Sequence, residues 1–193
     1  AHRNPEEFME INISNKPARI DRKEIIAAAN FYANRLMRAQ LVKNLTVDIE
    51  FMDLRVFHCE AQCNWEDRNV RPRHFTIALD RSMGRRRVLV NLAHEMVHVK
   101  QHATDESRDD LKNSNLHVWQ GKVIDSDQLD YFDLPWEIDA FGREHGLYRR
   151  FLQHQAAGRA ATSGRRLRAK QAKKNRLIAV RNELIFRYAL HDC

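Results

Sequence analysis

The chain of 193 residues is 43% hydrophobic and 31% charged, which suits one domain of ordinary size with a short appendage. No apolar run reaches the roughly 18–20 residues that a membrane-spanning helix needs. The first residues contain no apolar signal-peptide core, and three cysteines do not form a secreted disulfide framework. We therefore expect a reducing, cytoplasmic location.

The net charge of +7 is distributed unevenly. Residues 146–193 contain twelve Lys and Arg residues and two acidic residues, whereas residues 1–145 contain 21 basic and 24 acidic residues. The basicity therefore belongs to the C-terminal quarter of the chain. We predict three regions: an extended N-terminal arm (1–20), a domain (21–152), and a basic linker with an amphipathic helical tail (153–193).

The first elements of the domain follow simple patterns. The capping-box sequence Asp21-x-x-Glu24 predicts the start of a helix over residues 22–42. Apolar and polar residues then alternate over residues 46–57 and 74–80, which predicts two half-buried strands.

Between these strands lie His58, Cys59, Cys63 and Trp65. A Cys-x-x-x-Cys spacing can contribute to a second zinc site. We favour the simpler interpretation, reduced thiols packed in a hairpin.

The most informative segment is residues 88–99, which contains the motif His-Glu-x-x-His. His94 and His98 are four residues apart, so on a helix they lie on one face and can direct two imidazole nitrogens at one zinc ion. Glu95 reaches the edge of that site and can act as general base on a metal-activated water. All other residues of the segment except Asn91 are apolar, which predicts a buried helix. Buried histidine and glutamate side chains need partners or a metal.

A catalytic zinc site needs three protein ligands and a water. Residues 104–115 predict a loop and residues 117–124 a short strand or hairpin, and Pro135 opens a second helix. We favour Glu137 in the first turn of that helix as third ligand, because the small Ala140 on the same face lets two helices approach closely. His117 is the main alternative. Three further candidates stay open: His102, Asp139 and Glu144.

The motif His94-Glu95-Met96-Val97-His98, followed by Pro135-Trp136-Glu137-Ile138-Asp139-Ala140, resembles the gluzincin-type zinc metallopeptidases. Within that group it is most similar to the small SprT-like and phage-encoded metallopeptidases. The resemblance covers roughly residues 46–148 and implies an α+β, zincin-like fold with a small mixed sheet and a downstream ligand helix. It also implies that Glu137 is the third ligand, although in SprT itself a histidine takes that place, which keeps His117 open.

The resemblance implies zinc-dependent hydrolysis of a peptide bond in a peptide or protein substrate. Zinc polarises the scissile carbonyl, and Glu95 takes a proton from water and passes it to the leaving amine. The strand over residues 74–80 is expected along the cleft, where an extended substrate pairs with its edge. An acid should orient each histidine through its second ring nitrogen. Tyr131, His145 and Tyr148 are candidates to stabilise the oxyanion.

The basic run, residues 165–176, predicts binding to a phosphate backbone. Its candidate contacts are Arg165, Arg166, Arg168, Lys170, Lys173, Lys174 and Arg176. No aromatic residue interleaves the run, so base stacking and sequence reading are not expected. Docking on an acidic protein surface and a merely solvated helix face are the alternatives. Beyond it, Leu177, Val180, Leu184 and Tyr188 predict an amphipathic end helix.

Three functions remain open from the sequence. The first is a zinc metallopeptidase brought to its substrates by nucleic acid. The second is a structural or assembly protein of a phage particle that keeps a metallopeptidase-like fold, located in the host cytoplasm or the virion. The third is a nucleic-acid-binding module with a structural zinc. Glu95 favours the first, because a purely structural zinc has no use for a general base.

Overall fold

The computed structural model describes residues 7–67, 70–109 and 115–189. The chain divides into two compact units, Ala1–Phe151 and Leu152–Cys193. The first unit mixes helices with a small mixed sheet, and a helix continues to the C-terminal part of the chain. This confirms the predicted α+β class. Within the described residues, no helix has the length and apolar character that crossing a membrane requires.

The main sheet has four strands: β1 (Glu10–Ser14), β2 (Thr46–Met52), β3 (Ala61–Trp65) and β4 (His74–Asp80). Their order is β1-β2-β4-β3, with β1, β2 and β4 parallel and β3 antiparallel to β4. The alternation predicted for β2 and β4 is confirmed, since every second side chain of β2 is buried. β1 lies within the N-terminal arm, for which only an extended conformation was predicted.

The position of β4 corrects one expectation. This strand pairs with β2 on one side and with β3 on the other, so it has no free edge for a substrate. The edge strand next to it is β3, which the sequence analysis described only as part of a hairpin. β2 also ends at Met52 instead of residue 57, because Arg55–Phe57 forms a 3-10 turn.

Four helices complete the described fold: α1 (Arg22–Leu36), α2 (Ala39–Val42), α3 (Arg85–Ala103) and α4 (Pro135–Ala189). Asp21 caps α1, since its side chain accepts a hydrogen bond from the Lys23 amide. The helix predicted over residues 22–42 is interrupted, because Met37 and Arg38 adopt extended backbone angles. α4 begins at Pro135 as predicted, where the missing amide hydrogen costs nothing.

A second, antiparallel sheet consists of β5 (Ser107–Asp109), β6 (Leu116–Trp119) and β7 (Lys122–Asp125). A short strand or hairpin was predicted over residues 117–124, and β6 and β7 form the hairpin. The loop predicted over residues 104–115 is wrong for β5, and residues 110–114 of that loop lie outside the described part of the chain.

α3 is buried between α1 and the main sheet, as its apolar sequence predicted. Its buried apolar residues are Val88, Leu89, Leu92, Ala93, Met96, Val97, Val99 and Ala103. The Tyr32 hydroxyl of α1 donates a hydrogen bond to the Leu89 carbonyl at 3.1 Å, which ties the two helices together. In the first unit α4 contributes Ala140, Leu147 and Phe151 to the same core. The polar side chains of α3 are therefore held in a rigid environment.

In the second unit, the beginning of the region predicted as a basic linker with a helical tail (153–193) is helical. The described side chains of this unit are mostly exposed, including Leu167 at 68%. For the amphipathic end helix predicted at Leu177, Val180, Leu184 and Tyr188, the backbone is helical and the side chains lie outside the described part of the structure.

Candidate metal centre

Three side chains from α3 and α4 converge on one point, and we call them the metal cluster: His94, His98 and Glu137. The two Nε2 atoms are 3.1 Å apart. Glu137 places Oε2 3.2 Å from His94 Nε2 and Oε1 3.5 Å from His98 Nε2. One ligand atom from each residue lies within 4.8 Å of the others, so the three can hold a metal ion.

The proton on His94 is placed by a buried acid. His94 Nδ1 donates a hydrogen bond to Glu144 Oε2 at 2.9 Å, and both residues are buried. Since a carboxylate can only accept, Nδ1 carries a proton, and Nε2 is the nitrogen that can offer a lone pair to a metal once it has lost its own proton. Glu144 is therefore the orienting acid for His94 that the sequence did not identify.

His98 is oriented by Gln101, a fully buried residue one turn along α3. The Gln101 amide nitrogen donates to the Trp136 carbonyl at 3.0 Å, so its Oε1 must face His98 Nδ1, which lies 2.8 Å away. His98 Nδ1 is thus the donor, and Nε2, which faces Glu137, is the nitrogen that can bind a metal. The sequence analysis missed Gln101. Gln101 could have been identified from the sequence, because it is a polar residue three positions after a ligand histidine on an apolar helix.

The spacing of the cluster fits a tetrahedral ion. Zinc–nitrogen and zinc–oxygen bonds of about 2.0–2.1 Å place neighbouring ligand atoms roughly 3.3–3.4 Å apart in a tetrahedron. The three contacts in the cluster measure 3.1, 3.2 and 3.5 Å. Two lone pairs and a carboxylate facing one another at these distances need a positive charge between them. The donor set of two histidines and one glutamate is one that catalytic zinc uses.

Protonation supplies that positive charge when no metal does. Burial alone would lower the pKa of His94, but its hydrogen bonds with Glu137 and Glu144 outweigh burial and raise the pKa to about 9. For Glu137, burial would raise the pKa, whereas hydrogen bonds from His94 and His98 hold it well below its usual range. A metal must therefore displace a proton from this cluster.

Glu95 lies beside the cluster on α3 and is 5% exposed. Burial raises the pKa of its carboxyl group to about 7, although the nearby His98 and His94 oppose that shift. A group with a pKa near neutrality can both take up and release a proton, as a general base requires. Among the described residues, none forms a hydrogen bond with the Glu95 carboxyl group, which leaves its oxygens available to a water.

Tyr131 is the one predicted oxyanion candidate that contacts the cluster. Its hydroxyl donates a hydrogen bond to Glu137 Oε2 at 2.8 Å. Burial, together with Glu137, raises the pKa of this phenol, so it remains a donor. His145 Nδ1 instead lies 2.8 Å from Glu144 Oε1, and Tyr148 packs against the hydrophobic core.

The other candidate ligands lie outside the metal cluster. His117 contacts the Ser107 hydroxyl at 2.6 Å and stacks on Trp136 at 3.9 Å between centroids. His102 stacks on Trp65 at 4.4 Å. Asp139 accepts a hydrogen bond from Arg143, and Glu144 orients His94.

The described residues of the hairpin region form no second group that could hold a metal ion. Cys59 and Cys63 are free thiols. Burial and the nearby Glu95 raise the pKa of Cys63 well above its usual value, which fits a packed thiol of β3 facing α3.

In the basic run, the side chains of Arg165, Arg166, Arg168 and Lys170 are exposed on α4. Lys173, Lys174 and Arg176 belong to the same helix, and their side chains lie outside the described part of the structure.

No protein-family model, curated protein or solved structure matches the chain.

Proposed function

We propose that this chain is a zinc-dependent metallopeptidase with a zincin-like fold, related to the gluzincin and SprT-like group that its motif resembles. The observation that carries the proposal is the pairing of the metal cluster with an adjacent carboxyl group, that of Glu95, whose pKa is raised to about 7. A purely structural metal site does not require a buried general base. His94, His98 and Glu137 would hold the ion, with Glu144 and Gln101 orienting the histidines.

When bound, zinc supplies positive charge that polarises a carbonyl group and makes water acidic enough to lose a proton near neutral pH. The Glu95 carboxylate would take that proton as the water oxygen forms a bond to the carbonyl carbon. It would then pass the proton to the nitrogen of the leaving amine as the peptide C–N bond breaks, which returns Glu95 to its ionised state. The Tyr131 hydroxyl donates a hydrogen bond to Oε2 of Glu137, which restricts rotation of this ligand away from the histidines.

The substrate strand would pair with β3. β3 is the last strand of the main sheet, and no strand among the described residues covers its outer edge. Burial and the nearby charge of Glu95 raise the pKa of Cys63 in β3, which indicates that this strand lies beside the proposed base. An extended peptide added to that edge receives main-chain hydrogen bonds in register and lies along the metal cluster.

The test combines metal analysis with hydrolysis of an unfolded protein substrate. We expect about one zinc per chain in the wild type, and loss of zinc in Glu137→Ala. Glu95→Gln keeps the shape of the site but cannot accept the proton, so it should retain zinc and lose roughly 10²–10⁴-fold in rate. Glu10→Gln, an equivalent change at an exposed position of β1, is the matched control.

Two results would contradict the proposal. Glu137→Ala with full zinc content would remove Glu137 as a ligand. Wild-type protein that binds zinc but cleaves no substrate, or Glu95→Gln at the wild-type rate, would favour a particle or assembly component with a metallopeptidase-like fold.

A further inference from the structure

An open surface groove with a volume of about 410 Å³ lies between the end of α1 and α4, and we call it the arginine cavity. It is lined by Arg35, Leu36, Gly142, Arg143, Gly146, Leu147 and Arg150. All of these residues belong to the first unit. The volume falls in the range of small-molecule sites. Three guanidinium groups therefore border one small space.

Two of these guanidinium groups are held in place. The Arg35 guanidinium lies 5.5 Å from the centroid of the Phe31 ring, at cation–π distance. Arg143 Nε donates to Asp139 Oδ1 at 2.6 Å. Within the described part of the chain, Arg35 and Arg150 form no salt bridge, so Asp139 neutralises only one of the three charges. The cavity is positively charged and partly preorganised for an anion.

Two glycines keep the cavity open. Gly142 and Gly146 are one turn apart on α4, and glycine inside a helix lowers its stability. A Cβ atom at either position would meet nothing within 4 Å, so packing does not explain the choice. Their effect is to leave the helix backbone bare along one wall, where a ligand can approach closely.

We infer that the arginine cavity binds a phosphate-bearing small molecule with at least two negative charges, such as a nucleoside diphosphate. Arginine matches phosphate oxygens with paired N–H donors. Leu36 and Leu147 offer an apolar wall for a base or sugar. A free nucleotide and the phosphorylated end of a nucleic-acid strand present the same chemistry.

This site is separate from the metal cluster. Glu137 and Glu144 are seven residues apart and share one face of α4, whereas Gly142 and Gly146 lie on a different face of the same helix. The inference therefore does not rest on the proposed peptidase activity.

Calorimetric titration of the full chain tests the inference with three probes: ADP, inorganic pyrophosphate and a 5′-phosphorylated oligonucleotide. The double variant Arg35→Gln/Arg150→Gln removes the unpaired charges. Gly146→Leu keeps every charge, favours the helix and fills the cavity. Arg149→Gln, an exposed position of α4 outside the lining, is the matched control for charge. All variants keep the metal cluster, so any affinity of a probe for a bound metal is common to them.

We expect ADP to bind the wild type and the control equally, and to bind both cavity variants about tenfold more weakly or worse, because charge-assisted hydrogen bonds are removed or blocked. If pyrophosphate binds the wild type as tightly as ADP does, the diphosphate group is the part of the ligand that the site recognises. Oligonucleotide binding weakened by Gly146→Leu would assign it to a nucleic-acid end.

The inference is overturned if no probe binds, or if Gly146→Leu binds like the wild type. An effect of Arg149→Gln as large as that of the double variant would show nonspecific attraction by positive charge, and would overturn it as well. Circular dichroism of each variant checks that weaker binding does not reflect unfolding.

Discussion

The metal cluster and the basic run differ in how their side chains are held. In the metal cluster, three polar residues are nearly buried, and each is held by a further partner: His94 by Glu144, His98 by Gln101, and Glu137 by Tyr131. In the basic run, the described side chains are exposed on a helix. The cluster therefore depends on tertiary geometry, whereas the basic run depends on charge density alone.

This difference teaches how each region should respond to change. A buried cluster is sensitive to pH and to single atoms, because low exposure strengthens electrostatic interactions and leaves no water to replace a missing partner. An exposed run of Lys and Arg is insensitive to any single residue but sensitive to salt, which screens its charges.

The largest effect concerns salt and the basic run. We predict that the chain binds random duplex and single-stranded DNA without sequence preference. If six to eight basic side chains neutralise phosphates, affinity should fall by roughly three to five orders of magnitude between 50 and 200 mM salt. Fluorescence anisotropy at several salt concentrations measures the slope.

Replacing Arg165, Arg166, Arg168 and Lys170 by Gln should lower the magnitude of that slope by about 0.9 for each phosphate that is no longer neutralised. The zinc content of this variant should not change. Salt-independent binding, or none, would assign the basic run to an acidic protein surface and remove nucleic acid from the function.

The second effect concerns pH and the metal cluster. In the metal-free protein the pKa of His94 is raised to about 9, so a metal must displace its proton. Apparent zinc affinity should therefore increase by at least about tenfold per pH unit below 9, since the pKa of His98 is raised as well, and level off above it. Competition with a chromophoric chelator from pH 6.5 to 8.5 measures this change.

DNA binding by the basic run should stay constant over the same pH range, because Lys and Arg keep their charge. A zinc affinity that is flat with pH would mean that Nε2 of His94 carries no proton in the metal-free state. A pH dependence shared by both activities would remove the distinction between the two regions.

The third effect concerns the residues that orient the histidines. Gln101→Ala and Glu144→Ala should each lower zinc affinity by about 10–100-fold, since the ligand ring loses its fixed orientation. Asn91→Ala is the matched control, because Asn91 lies on α3 and contacts Glu60 instead of the cluster. If both variants bind zinc like the control, the rings are held by packing and not by these hydrogen bonds.

Much of the metal cluster could be predicted from sequence, because its central signal is local. Four-residue spacing on an apolar helix places His94 and His98 on one face whatever the rest of the fold does. The sequence also predicted that Glu137 lies in the first turn of a helix that begins with a proline. That these residues meet is a tertiary fact which the structure supplies.

The rest depends on partners far apart in the chain. Glu144 was considered as a ligand, yet it orients His94 from seven residues beyond Glu137 on the same helix face. β1 pairs with a strand more than thirty residues later, and its short sequence carries little signal of its own. The expectation that β4 borders the cleft was wrong because strand order is not encoded in any single segment.

The smallest effect concerns helix stability in the second unit, where burial contributes little. Gly158 and its described neighbours are exposed, and a Cβ at this position would meet nothing within 4 Å. Gly158→Ala should therefore stabilise the helix locally by about 0.5–1 kcal/mol. Amide hydrogen exchange near residue 158 should slow by about two- to fivefold, because exchange there proceeds through local opening. Amides of α3 should keep their wild-type rates, and slowing of both regions together would mean that the two units open as one.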